Sequence, residues 1–149
     1  MKKKHLLLKI FITYLFLTTS VFSSKANYFI EGKILFEKNE FDKSKIFFEK
    51  DIVFNPKSEK SYLYLAKIFN KKENDQEEEI NLNNVLLLNP ENDEAIYMLT
   101  LLRIKQSNYN EAKELIRRFN LVCNSFCLKT DEIQEKFEKL IPEDAEDKN

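Results

Sequence analysis

One interval governs this sequence: Pro56 and Pro90 lie 34 residues apart, and Gly32, Ala66 and Thr100 repeat at the same spacing. Tyr28, Tyr62 and Ile96 share that phase, as do Phe29, Leu63 and Tyr97, and Phe48, Leu82 and Ile116. A fixed period of this length restricts the chain to a repeated supersecondary unit, because one unit cannot bury its apolar face without a neighbour of the same shape. Within each period the apolar residues recur at helical spacing, as in Tyr62, Leu65, Ala66 and Phe69 followed by Ile80, Leu82, Val85 and Leu86. Polar breaks at Lys38-Asn39-Glu40, Lys71 to Asp75 and Gln106-Ser107-Asn108 divide each period into two helices. The unit therefore reads as a helix hairpin. A single glycine and three prolines in 149 residues leave too few turn formers for a β sandwich or barrel.

Local signals predict where these helices begin and end. Asn39, Asp75 and Asn108 can accept hydrogen bonds from free N–H groups at the starts of the second helices, and Asp75 with Glu78 has the spacing of a capping box. Pro56 and Pro90 are expected to stop the second helices, since proline cannot continue the ladder and restricts the residue before it.

The period and residue order resemble the tetratricopeptide repeat, whose pattern runs W-x2-L-G-x2-Y, then A-x3-F, then P. Residues 25–58 match with Tyr28, Gly32, Leu35, Ser44, Phe48 and Pro56, departing at Glu31. Residues 59–92 match with Tyr62, Leu65, Ala66, Phe69, Leu82 and Pro90, with Glu78 at the small-residue position. Residues 93–126 match with Ile96, Leu99, Ala112 and Ile116, while Arg103 and Asn124 replace the aromatic and the proline. The resemblance implies an all-α, right-handed helix-turn-helix solenoid of about three hairpins. Small residues at Gly32, Ala66 and Ala112 would permit close helix approach. A capping helix is expected within 127–141, with Ile133, Phe137 and Leu140 on one face, and the tail 142–149 is too polar to pack.

Residues 1–26 have a different character. A basic start, a largely apolar and uncharged run from Ile10 to Phe22, and Ser24-Lys25-Ala26 match a secretory signal peptide. The uncharged run is 13 residues, shorter than the roughly 20 that span a bilayer, although recruitment of Leu6 to Leu8 would allow an uncleaved membrane anchor. Twenty-four basic residues less the leader's five lysines leave 19 against 25 acidic ones, a net charge of −6 that disfavours nucleic acid as a partner.

Catalytic and metal chemistry find few candidates. The sole histidine, His5, lies in the leader, and one glycine rules out phosphate-binding and dinucleotide-binding loops. Carboxylate runs such as Glu77-Glu78-Glu79 are expected to be solvated faces. No catalytic residue, cofactor or metal site is therefore expected. Cys123 and Cys127 either form a disulfide across the turn before the capping helix or remain two small buried thiols.

The resemblance also implies a concave groove lined by the first helix of each hairpin. By position it would hold Phe29, Lys33, Phe36 and Glu37 from the first unit, Leu63, Lys67, Asn70 and Lys71 from the second, and Tyr97, Leu101, Ile104 and Lys105 from the third. Phe29, Leu63 and Tyr97 could instead pack against neighbouring helices. The family's carboxylate clamp is not visible, because Phe29 stands where that clamp uses lysine. The expected function is an exported, non-catalytic scaffold of the bacterial cell envelope, periplasmic or secreted, that binds a hydrophobic to acidic protein segment. The alternative is a membrane-tethered, self-associating structural component anchored by the leader.

Overall fold

The computed structural model describes residues 27–139. The leader, the end of the expected capping helix and the tail 142–149 lie outside the described residues. The described chain is helical and contains no strand: α1 Tyr28–Glu37, α2 Phe41–Phe54, α3 Glu59–Lys71, α4 Asp75–Leu88, α5 Asp93–Lys105, α6 Tyr109–Val122 and α7 Thr130–Glu138. Helices pair as α1 with α2, α3 with α4 and α5 with α6; α2 meets α3 and α4 meets α5 between hairpins. A short 3-10 turn, Cys127–Lys129, leads into α7, which packs on α5 and α6 and buries Ile133 and Phe137.

The turns inside the hairpins obey the same period as the core. Asn39, Glu73 and Ser107, each 34 residues from the next, take left-handed backbone conformations with φ of 59°, 55° and 58°. This placement corrects two of the three expected caps. Asn39 supplies the left-handed bend and Glu40 follows it as cap residue, without a side-chain cap bond. In the second hairpin Asn74 is the cap, its Oδ1 accepting from Glu77 N at 3.2 Å, while Asp75 is already the first helical residue. Asn108 caps α6 by accepting from Glu111 N. The physical reason is that a left-handed residue must precede the cap to reverse the chain, so each cap falls one place after the bend. The prolines act as expected: Asn55 and Asn89, which precede them, leave helical geometry at φ −138° and −139°.

The close-approach positions also behave as the pattern implies. Ser44 Oγ donates to the Gly32 carbonyl at 2.8 Å, and a Cβ placed on Gly32 would meet Phe48 Cε1 at 2.8 Å. Ala66, Thr100 and Ala112 are fully buried at the equivalent contacts. In the second hairpin Glu78 occupies the small-residue position, only 2% exposed, with both carboxylate oxygens accepting from Asn70 Nδ2 at 3.1 and 3.2 Å. It is not the solvated carboxylate its sequence neighbours suggest. Burial raises its pKa above the usual carboxylate range, and the Asn70 contact only partly offsets this. A carboxyl raised in the fold contributes stability that is present below the unfolded-state pKa and lost as pH rises through the folded-state pKa. Glu78→Gln keeps an oxygen for Asn70 to donate to and removes the buried charge. It is expected to raise the melting temperature at neutral pH, with the gain vanishing in acid, as followed by circular dichroism across a pH series.

Candidate partner-binding groove

The first helices α1, α3 and α5 enclose one cleft of about 440 Å3, lined by Phe36, Lys67, Asn70, Lys71, Glu94, Tyr97, Met98 and Leu101. It forms because residues three and four apart on each first helix face the same way, so one stripe per hairpin turns toward its neighbours. Of the residues carried over by resemblance, Phe36, Lys67, Asn70, Lys71, Tyr97 and Leu101 meet there. Phe36 and Leu101 are half-buried and Asn70 and Lys71 exposed, so the cleft pairs an apolar floor with a polar rim.

Electrostatics divide the two lysines. Lys67 Nζ lies 2.7 Å from Glu94 Oε1 and 4.9 Å from the centre of the Tyr64 ring, so it ties α3 to α5 across the cleft floor. Lys71 stands at the rim, exposed. Tyr97 closes the C-terminal end: its hydroxyl donates to Glu132 Oε1 of α7 at 2.9 Å, with Lys129 Nζ 5.9 Å from its ring. Burial first, and then Glu132, push the Tyr97 hydroxyl up to about 12. Hydrogen bonds from Lys129, Lys136 and Tyr97 hold the Glu132 carboxyl down at about 2. The pair therefore keeps its phenol and carboxylate forms across the physiological range.

Other expected site residues lie elsewhere. Leu63 and Ile104 are buried in the C-terminal core cluster, because their faces turn toward the packed second helices rather than the cleft. Phe29 is half-buried in a ring cluster, 5.8 Å from Phe48 and 5.7 Å from Tyr64, and lines a separate depression of about 420 Å3 with Asn27, Asp51 and Lys60. Lys33 pairs with Glu37 at 3.7 Å, and Lys105 pairs with Asp75 of α4 at 2.6 Å. Both lysines stay exposed without joining the cleft. Sequence reasoning missed Glu94 and Met98. The signal was present, since Glu94, Tyr97, Met98 and Leu101 form one helical stripe.

Cys123 and Cys127 sit beyond α6 and are joined as a disulfide, with Cα atoms 5.1 Å apart, inside the span such a bridge allows. Asp93 reinforces the same corner by accepting from the backbone N–H groups of Asn124, Ser125 and Phe126 at 2.6 to 2.8 Å. Among the described residues no group of three or more His, Cys, Asp or Glu side chains could hold a metal ion.

In structure the chain is similar to the Sgt2 TPR domain from Aspergillus fumigatus, with a TM-score of 0.63 at 14% identity over 75% of this chain and 78% of that one. The likeness establishes the fold: helix hairpins stacked as in a tetratricopeptide-repeat domain. No protein-family model matches the sequence, and no curated protein matches it.

Proposed function

We propose that this protein is a non-catalytic adaptor that holds a segment of another protein in the cleft between α1, α3 and α5. The observation that carries this reading is a single cleft built from all three first helices, with an apolar floor of Phe36, Met98 and Leu101 and a cationic rim at Lys71. Such a surface suits a segment whose apolar side chains fill the floor and whose acidic groups meet the rim. A photo-crosslinking residue at position 98, on the same cleft floor, provides the test. Lys71→Glu combined with Leu101→Lys is expected to weaken capture of the cleft partner about tenfold, since a rim charge and a floor contact are both reversed. Unchanged capture by a folded double variant would sink the reading.

The setting proposed for this adaptor is the cell envelope, reached through the leader at residues 1–26. The Cys123–Cys127 pair supports it, because disulfides persist in oxidising compartments. A second reading, in which the leader stays as a membrane anchor, draws support from one exposed edge of the solenoid. Terminal sequencing of the exported chain separates the two, since cleavage leaves a start near Asn27 and anchoring retains Met1.

A further inference from the structure

The second helices end in an exposed apolar row. Val53, Leu87 and Leu121 occupy one register, 34 residues apart, in the last turns of α2, α4 and α6, and are 74%, 79% and 85% exposed. Phe54 and Leu88 close α2 and α4 beside them, and Leu128, 96% exposed, follows in the turn after α6. Stacked hairpins bring equivalent helix ends to the same edge. At the opposite edge the equivalent turns hold Lys38-Asn39, Lys72-Glu73 and Gln106-Ser107, polar throughout. Large aliphatics scattered singly over a surface need no explanation, but the same register left apolar and exposed in every hairpin marks a surface that something covers.

The chain itself indicates what covers it. Tyr28, the first residue of α1, stacks on Phe54 with ring centroids 5.4 Å apart, so the leader joins the domain at this apolar edge. That leader contributes 13 successive uncharged residues, Ile10 to Phe22, while among the described residues no helix is long and apolar enough to cross a membrane. We infer that the edge carrying Val53, Leu87 and Leu121 is a membrane-docking surface, pressed into the headgroup region of a lipid bilayer by a leader retained as an anchor. A tether supplies the high local concentration that lets a few aliphatic side chains insert without strong affinity of their own. Lys57, exposed in the connection from α2 to α3, and Lys60, exposed in the first turn of α3 at the same edge, can extend their ammonium groups to lipid phosphates. The inference rests on the anchored reading and is independent of the cleft, none of whose lining residues belongs to the row.

The sequence contains no tryptophan, so a single introduced indole reports its own surroundings. Leu87→Trp and, at the opposite edge, Gln106→Trp are to be compared in the full-length chain reconstituted in vesicles of phosphatidylethanolamine and phosphatidylglycerol. Docking predicts blue-shifted emission for Leu87→Trp and about twofold or greater excess quenching by acyl-brominated lipids over Gln106→Trp. Adding Val53→Asp and Leu121→Asp, both at exposed positions, should abolish that excess while circular dichroism stays unchanged. Equal quenching at the two edges overturns the inference. So does a blue shift that grows with protein density without lipid quenching, which would assign the row to a second copy of the chain.

Discussion

Phe48→Ala is expected to lower the free energy of unfolding by about 3–5 kcal/mol, the range for removing a fully buried aromatic ring from a core. Phe48 is wholly buried in α2, 5.8 Å from the Phe29 ring and stacked 5.0 Å from Tyr64, with Leu65, Ile68 and Phe69 in the same cluster. The void would lie between the first hairpin and α3. Because this cluster is separate from the larger aliphatic core around α4, α5 and α6, the loss should be local. Hydrogen exchange in α1 and α2 should accelerate more than in α5 and α6. The Gly32 contact sharpens the test. Gly32→Ala alone should cost about 1–3 kcal/mol, because the added methyl meets the Phe48 ring. In the Phe48→Ala background the same change should turn neutral or favourable, since alanine exceeds glycine by about 1 kcal/mol in helix propensity. Equal costs of Gly32→Ala in the two backgrounds, measured by denaturant titration, would show that the ring does not set the spacing.

The second large effect is expected at Arg103. This side chain is 7% exposed on α5 and donates from Nη1 and Nη2 to the two carboxylate oxygens of Glu79 on α4, both at 2.7 Å. Nη1 also donates to Gln106, and Nε lies 2.7 Å from Glu111 Oε2 of α6 without the alignment of a hydrogen bond. One guanidinium therefore joins three helices from two hairpins. Arg103→Ala removes it and strands the carboxylates of Glu79 and Glu111 together, so a loss of about 3 kcal/mol is expected, the lower part of the range for breaking a buried pair because both glutamates are partly exposed. Arg103→Lys should recover only part of the loss, since a point charge cannot match the bidentate fork. Acid titration supplies an independent readout. Arg103 holds the Glu79 carboxyl below the usual range, so its stabilisation is present above the unfolded-state pKa and is lost as pH falls through the depressed folded-state value. The wild-type chain should lose that increment in acid, and Arg103→Ala should have none to lose. Matching acid profiles would mean that the fork contributes no net stability.

Arg103 also shows where sequence reading reaches its limit. Set against the repeat pattern it looks like a defect, a charge where an aromatic belongs, because its acidic partners on α4 and α6 stand 24 and 8 residues away with no local motif to join them. Glu78 misleads in the other direction. Its run of neighbouring acids suggests water, yet the hairpin turns it inward onto Asn70. Two of the three expected caps, Asn39 and Asp75, lie one place off for a smaller reason, namely that the left-handed residues that reverse the chain are Asn39 and Glu73 and the cap follows each of them.

The 34-residue phase, the helical spacing within it, the prolines and the small residues at Gly32, Ala66 and Ala112 determined the hairpins, their order and their close contacts. Those features act within one hairpin or between identical neighbours, so local hydrogen bonding and excluded volume suffice to express them. Only the tertiary structure decided which face of each first helix stays open. Leu63 and Leu101 both lie on first helices, but the way successive hairpins stack buries the one and lines the cleft with the other. The same stacking brought Val53, Leu87 and Leu121 to the edge where the leader joins, and seated Tyr97 against Glu132 of the capping helix. A helix's sequence sets which residues share a side of its own axis; the packing of that helix against its neighbours sets which side meets water.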